Sequence, residues 1–131
     1  STEQQRDLLA FARRRGIWIV SDEVYARLSY ERPVAPSFLD IAEPEDPVLV
    51  VNSFSKSWLM TGWRLGWLTH PPSIGDVLAQ LVQYNTSGSP TFLQHAGVTA
   101  VREGESFIRS VRDRCLAGRD IACDALEGVP R

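Results

Sequence analysis

Two cysteines, two histidines and a single methionine in 131 residues leave little room for sulfur or metal chemistry. Cys115 and Cys123 lie eight positions apart in one helical segment. At 1.5 Å per residue that is about 12 Å along the axis, too far for a disulfide with each other. Reduced, buried thiols in a cytoplasmic protein are the expectation. His70 and His95 stand alone, without ligand-like spacing to Cys, Asp or Glu, so no metal site is expected. No apolar run approaches the roughly 20 residues of a membrane helix, and the N-terminus does not resemble a signal peptide. Neither sign of charge dominates: 14 basic residues face 16 acidic ones, for a net charge of −2. With a pI near 5.6, neither nucleic acid nor an anionic membrane is an expected partner.

What is present reads as a soluble, globular domain with 44% hydrophobic and 23% charged residues. The pattern predicts a helix over Thr2–Arg15, with Leu8, Leu9, Phe11 and Ala12 apolar and Gly16 as its stop. The arginines at its end, Arg13-Arg14-Arg15, read as solvated charge favoured by the helix dipole. Ile17-Trp18-Ile19-Val20 and Val48-Leu49-Val50-Val51 read as short buried strands, and Gly66-Trp67-Leu68-Thr69 as a third. Four prolines from Pro33 to Pro47 mark an irregular connection. Helices are predicted over Ile74–Tyr84, Phe92–Val101 and from Glu105 to about Leu126. The last carries Phe107, Ile108, Val111, Cys115, Ala122 and Leu126 on one side. Short apolar strands alternating with helices indicate an α/β class: a three-layer sandwich with a mostly parallel sheet flanked by helices.

The residues with chemical content follow the strands. Asp22 leaves the first strand directly, which brings its carboxylate to the C-terminal edge where open α/β sheets bind ligands. Lys56 emerges after the second, in Ser53-Phe54-Ser55-Lys56, on the same edge if the two strands are parallel. Eight residues on, Arg64 sits within Gly62-Trp63-Arg64-Leu65-Gly66-Trp67. A lysine among hydroxyls, followed by an arginine, suits an aldehyde cofactor that also carries a phosphate. Taken singly, Asp22 is an N-cap or loop carboxylate, Tyr25 an ordinary half-buried tyrosine, and the serines plain loop. Two look-alikes fail. Residues 50–55 lack the glycines of a P-loop, and Gly62-x-x-x-Gly66 lacks the G-x-G-x-x-G turn of a dinucleotide site.

Asp22-x-x-Tyr25, then Ser53-x-Ser55-Lys56, then Arg64 in Thr61-Gly62-Trp63-Arg64-Leu65-Gly66, resembles the class I/II aminotransferases among fold-type I pyridoxal-phosphate enzymes. The resemblance implies a role for each residue. Lys56 would be the Schiff-base lysine and proton carrier, and Asp22 the partner that keeps the pyridine nitrogen protonated. Tyr25 would hydrogen-bond the cofactor's phenolic oxygen. Arg64 would grip the phosphate bidentately, a geometry lysine cannot reproduce, with Ser53 and Ser55 adding hydroxyl donors. The cofactor implied is pyridoxal 5′-phosphate, and the reaction is amino transfer from an α-amino acid to a 2-oxoacid.

By the same resemblance, residues 1–104 form the C-terminal half of the cofactor-binding large domain. Residues 105–131 form a long helix leading to a truncated small domain. The family's upstream Asn-Pro-x-Gly motif and its downstream carboxylate-binding arginine have no counterpart in the chain, so it reads as an internal fragment, inactive alone. The intact protein would be a cytoplasmic homodimer, with Tyr84–Pro90 resembling a segment that reaches the neighbouring subunit. Two alternatives stay open: a lyase or synthase of the same fold, and an aminotransferase-like domain of a transcriptional regulator.

Overall fold

In a computed structural model, residues 1–129 are described; the last two positions of the predicted 105–131 segment lie outside them. The first helix, α1, spans Thr2–Arg15 as predicted. The Ser1 hydroxyl accepts the Gln4 N–H, while the Gln4 side chain accepts from the Ser1 amino group, satisfying donors that a helix start leaves free. Gly16 ends it in the left-handed region at φ 63°, where a residue with a Cβ costs about 1–2 kcal/mol.

The arginine run does more than face solvent. Arg13 Nε and its terminal nitrogen donate to both Asp46 carboxylate oxygens, at 2.6 and 2.5 Å. That contact fastens the end of α1 to the loop preceding the second strand. The Arg13 hydrogen bond holds the Asp46 carboxyl below the usual carboxylate range.

Among the described residues three strands follow: β1 (Ile19–Asp22), β2 (Val48–Ser53) and β3 (Gly66–Thr69), in spatial order β1-β2-β3. β1 and β2 run parallel, with Ile19 opposite Val48 and Asp22 opposite Val51. β3 runs antiparallel to β2, with Ser53 opposite Gly66. The α/β class holds, but the sheet is mixed rather than largely parallel. The cause lies in residues 54–65, which hold no α-helix and only a short 3-10 turn at Thr61–Trp63, whereas a parallel return usually runs through an α-helical crossover.

Period-two alternation on β2 buries Val48 and Val50 against Leu9 of α1 and Phe38, with Ile19 packed alongside. The first apolar run is covered on one face only. Val20 is 65% exposed and Trp18 about half exposed, because the described residues put no layer over that side.

The remaining helices are α2 (Gly75–Asn85), α3 (Thr91–Glu103) and α4 (Glu105–Ala125), with Gly104 between the last two. A second cluster joins Phe54, Trp58 and Leu65 from the β2–β3 connection to Ile108 of α4, with Leu93 and Ala100 of α3 against it. Only Ile108 and Val111 of α4 are buried; Ile121 and Leu126 are exposed. Cys115 and Cys123 are both free, but they are exposed rather than buried, since burial along α4 stops at Val111.

Candidate active site

The parallel pairing of β1 and β2 ends both strands at one edge, where the Glu23 N–H donates to Val51 O at 2.9 Å. Antiparallel β3 starts at that edge, opposite Ser53. Asp22, Ser53 and the chain on either side of Arg64 are therefore brought together by backbone pairing alone. After β1 the chain turns sharply: Asp22 Oδ1 accepts the Val24 N–H at 3.2 Å, and the Ala26 N–H donates to Glu23 O at 2.9 Å. The turn presents Tyr25 to solvent, 61% exposed rather than half-buried.

The loop carrying Lys56 is built rigidly. Its base is closed by Phe54 N–H to Leu65 O at 3.1 Å and Met60 N–H to Phe54 O at 3.2 Å. The Thr61 hydroxyl donates to Ser55 O at 3.0 Å. Phe54, Ser55, Ser57 and Trp58 are buried around Lys56, which is itself only partly covered. Leu59 and Arg64 both take left-handed backbone at φ 51°. Such conformations cost residues with a Cβ about 1–3 kcal/mol and cluster where a loop must aim a side chain.

Lys56 Nζ lies 5.6 Å from the centre of the Tyr25 ring, so the two motifs meet in space although 31 positions separate them. Arg64 donates to Thr61 O at 3.0 Å, within its own turn. The Ser53 hydroxyl accepts the Ser55 N–H at 3.3 Å, and Ser55 is itself buried behind the loop. Among the described residues, Asp22, Lys56 and Arg64 form no ion pair with each other or with any other group. Exposed charges often go unpaired. Here an acid, an amine, a guanidinium and a phenol share one sheet edge, which fits a ligand with a basic ring nitrogen, an aldehyde and a phosphate. Two open apolar grooves flank β3, of about 570 Å³ against α3 and about 750 Å³ against α2, and neither is lined by any of the six predicted residues.

Sequence reasoning missed the supports of this site. Trp58 Nε1 donates to Ala100 O of α3 at 2.8 Å, and Gly97 lets α3 approach so closely that a Cβ would lie 2.8 Å from Leu65. One signal for the lysine itself was available: Lys56 is the only lysine among 14 basic residues.

The family model described as aminotransferase class I and II matches residues 1–129. The chain belongs to the class I and II aminotransferase family. Among curated members, it is 35% identical over 133 residues to a probable aspartate/prephenate aminotransferase of Aquifex aeolicus, covering 98% of this chain and 33% of that one. It is 32% identical to a probable N-acetyl-LL-diaminopimelate aminotransferase of Bacillus subtilis, covering 96% and 31%. Among solved structures, the aromatic aminotransferase of Pyrococcus horikoshii superimposes with a TM-score of 0.89 at 26% identity, over 99% of this chain and 36% of that one. The chain thus spans about a third of the length of the curated family members it matches.

Proposed function

We propose that this chain forms one wall of a pyridoxal-5′-phosphate-dependent aminotransferase site, acting on an α-amino acid and a 2-oxoacid. The observation that carries the reading is the contact of Lys56 Nζ with the Tyr25 ring, at the edge where β1 delivers Asp22. When bound, the cofactor supplies an electron-withdrawing ring that stabilises negative charge at the substrate's α-carbon.

The chain's own residues supply part of the remaining chemistry. Lys56 provides the attaching amine and, once freed, carries the proton at that carbon. Asp22 holds a proton on the ring nitrogen through a charge-assisted hydrogen bond. Tyr25 donates to the phenolic oxygen. Arg64 clamps the phosphate, supported by the hydroxyls of Ser53 and Ser55.

Residues 1–104 then serve as part of the cofactor-binding domain, with α4 leading away from it. A homodimeric assembly, with 84–90 as the segment that meets the second subunit, accords with Tyr84 being 92% exposed. A cytoplasmic location is part of the same reading. No described helix is long and apolar enough to cross a membrane.

Adding pyridoxal phosphate to the chain is expected to produce an absorbance band that free cofactor lacks and that Lys56→Ala abolishes. The same band in Lys56→Ala would remove Lys56 from its role. Steady amino transfer by the chain alone is not expected.

A further inference from the structure

Two cation–aromatic contacts cross between the same two loops in opposite directions. Lys56 reaches from the β2–β3 loop to Tyr25, at 5.6 Å. Two residues beyond Tyr25, Arg27 reaches back to Trp58, two residues beyond Lys56, with its guanidinium carbon 5.7 Å from the ring centre. The far end of Arg27 donates to the carboxylate of Glu105, the first residue of α4.

Trp58 is a fixed platform. It is 9% exposed, its ring lies 4.9 Å from Phe54, and its Nε1 is bonded to Ala100 O. Beneath it, a Cβ on Gly104 would come within 2.7 Å of Nε1, so the α3–α4 junction packs directly on the indole. Arg27 Nε is buried with no hydrogen-bond partner among the described residues. Such a loss is tolerated where a ring face offsets part of it. Arg27 is thus held from both sides, and only Ala26 separates it from Tyr25, whose backbone O accepts the Leu28 N–H at 2.9 Å.

We propose that Arg27, seated on Trp58 and tied to Glu105, is a positioning residue that holds Tyr25 against Lys56. This rests on the roles assigned above to Lys56 and Tyr25. Arg27 itself touches neither reacting group. It sets how far the Tyr25 loop stands from the Lys56 loop, and it makes that spacing depend on where α4 begins.

Because Lys56 is the only lysine, trace acetylation with a neutral active ester, read by mass spectrometry, reports its reactivity against the α-amino group of the same chain without any cofactor. Only the neutral amine attacks the ester, and a ring face that binds the ammonium disfavours that form. Arg27→Met is expected to raise the Lys56-to-α-amine ratio roughly two- to five-fold, the span of an exposed cation–π contact. Arg27→Lys, which keeps a cation over Trp58, should restore most of the wild-type ratio. Tyr25→Leu should raise the ratio to the same extent, and adding Arg27→Met to it should raise it no further. Glu105→Gln, on a side chain 57% exposed, should move it in the same direction by less, and it decides the matter if Arg27→Met does not fold. An unchanged ratio in these variants, or full additivity with Tyr25→Leu, overturns the proposal. Survival of the cofactor band in Lys56→Ala would sink the aminotransferase reading instead, and would leave this ratio untouched.

Discussion

The same substitution at two helical glycines should have opposite effects. At Gly118 of α4 an added Cβ meets nothing within 4 Å. Gly118→Ala should therefore gain the helix preference of alanine, about 1 kcal/mol. At Gly97 of α3 the added Cβ would lie 2.8 Å from Leu65 Cδ2 and 3.2 Å from Phe54 Cζ. The leucine methyl can swing aside. The phenylalanine ring cannot easily do so, lying 4.9 Å from Trp58 and 5.2 Å from Trp67. Overpacking of this kind costs about 1–3 kcal/mol; subtracting the same helix preference leaves Gly97→Ala about 0–2 kcal/mol less stable than wild type. The two variants should then differ by about 1–3 kcal/mol, measured as urea midpoints at constant slope. Since Phe54 and Leu65 bracket the loop holding Lys56 and Arg64, Gly97→Ala should also weaken cofactor binding, and Gly118→Ala should not. Equal stabilisation by both substitutions would refute the close packing of α3 on that loop.

Two further outcomes are expected. Asp22→Asn removes a charge-assisted hydrogen bond to the ring nitrogen, and such bonds contribute about 1.5–3 kcal/mol, so cofactor affinity by spectral titration should fall roughly ten- to a hundredfold; an unchanged affinity argues against this partner. Asp46 has a folded pKa below its unfolded value because of Arg13, so its stabilisation is complete above about pH 4, the unfolded value, and is lost as pH falls through the folded one. Between neutral pH and acid, wild type should therefore lose melting temperature more steeply than Asp46→Asn; parallel acid profiles would contradict this.

How much of this could be read from the chain depended on how local the cause was. The bounds of α1 were legible because Ser1, Gln4 and Gly16 act within one turn of the helix ends they fix. The motif residues were legible because each lies within a few positions of a strand end. The direction of β3 was not, since it depends on the absence of a crossover in 54–65 rather than on the strand's own residues. Nor was the open face of β1: an apolar run reads alike whether one or both sides are covered, and Val20 is exposed. The thiols failed for a related reason, because an amphipathic stripe on α4 says nothing of how far along it a partner extends. Contacts such as Arg27 with Glu105, 78 positions apart, leave no local pattern at all.

The central claim is that Lys56 and Arg64 serve the two ends of one phosphorylated aldehyde. Borohydride trapping tests it directly, by titrating the label on Lys56 and on the α-amino group with pyridoxal phosphate and with pyridoxal lacking the phosphate. The account predicts that Lys56 is labelled at far lower concentrations of the phosphorylated aldehyde, that the α-amine shows no such preference, and that Arg64→Ala removes the difference. Parallel labelling of the two amines by both aldehydes would contradict it.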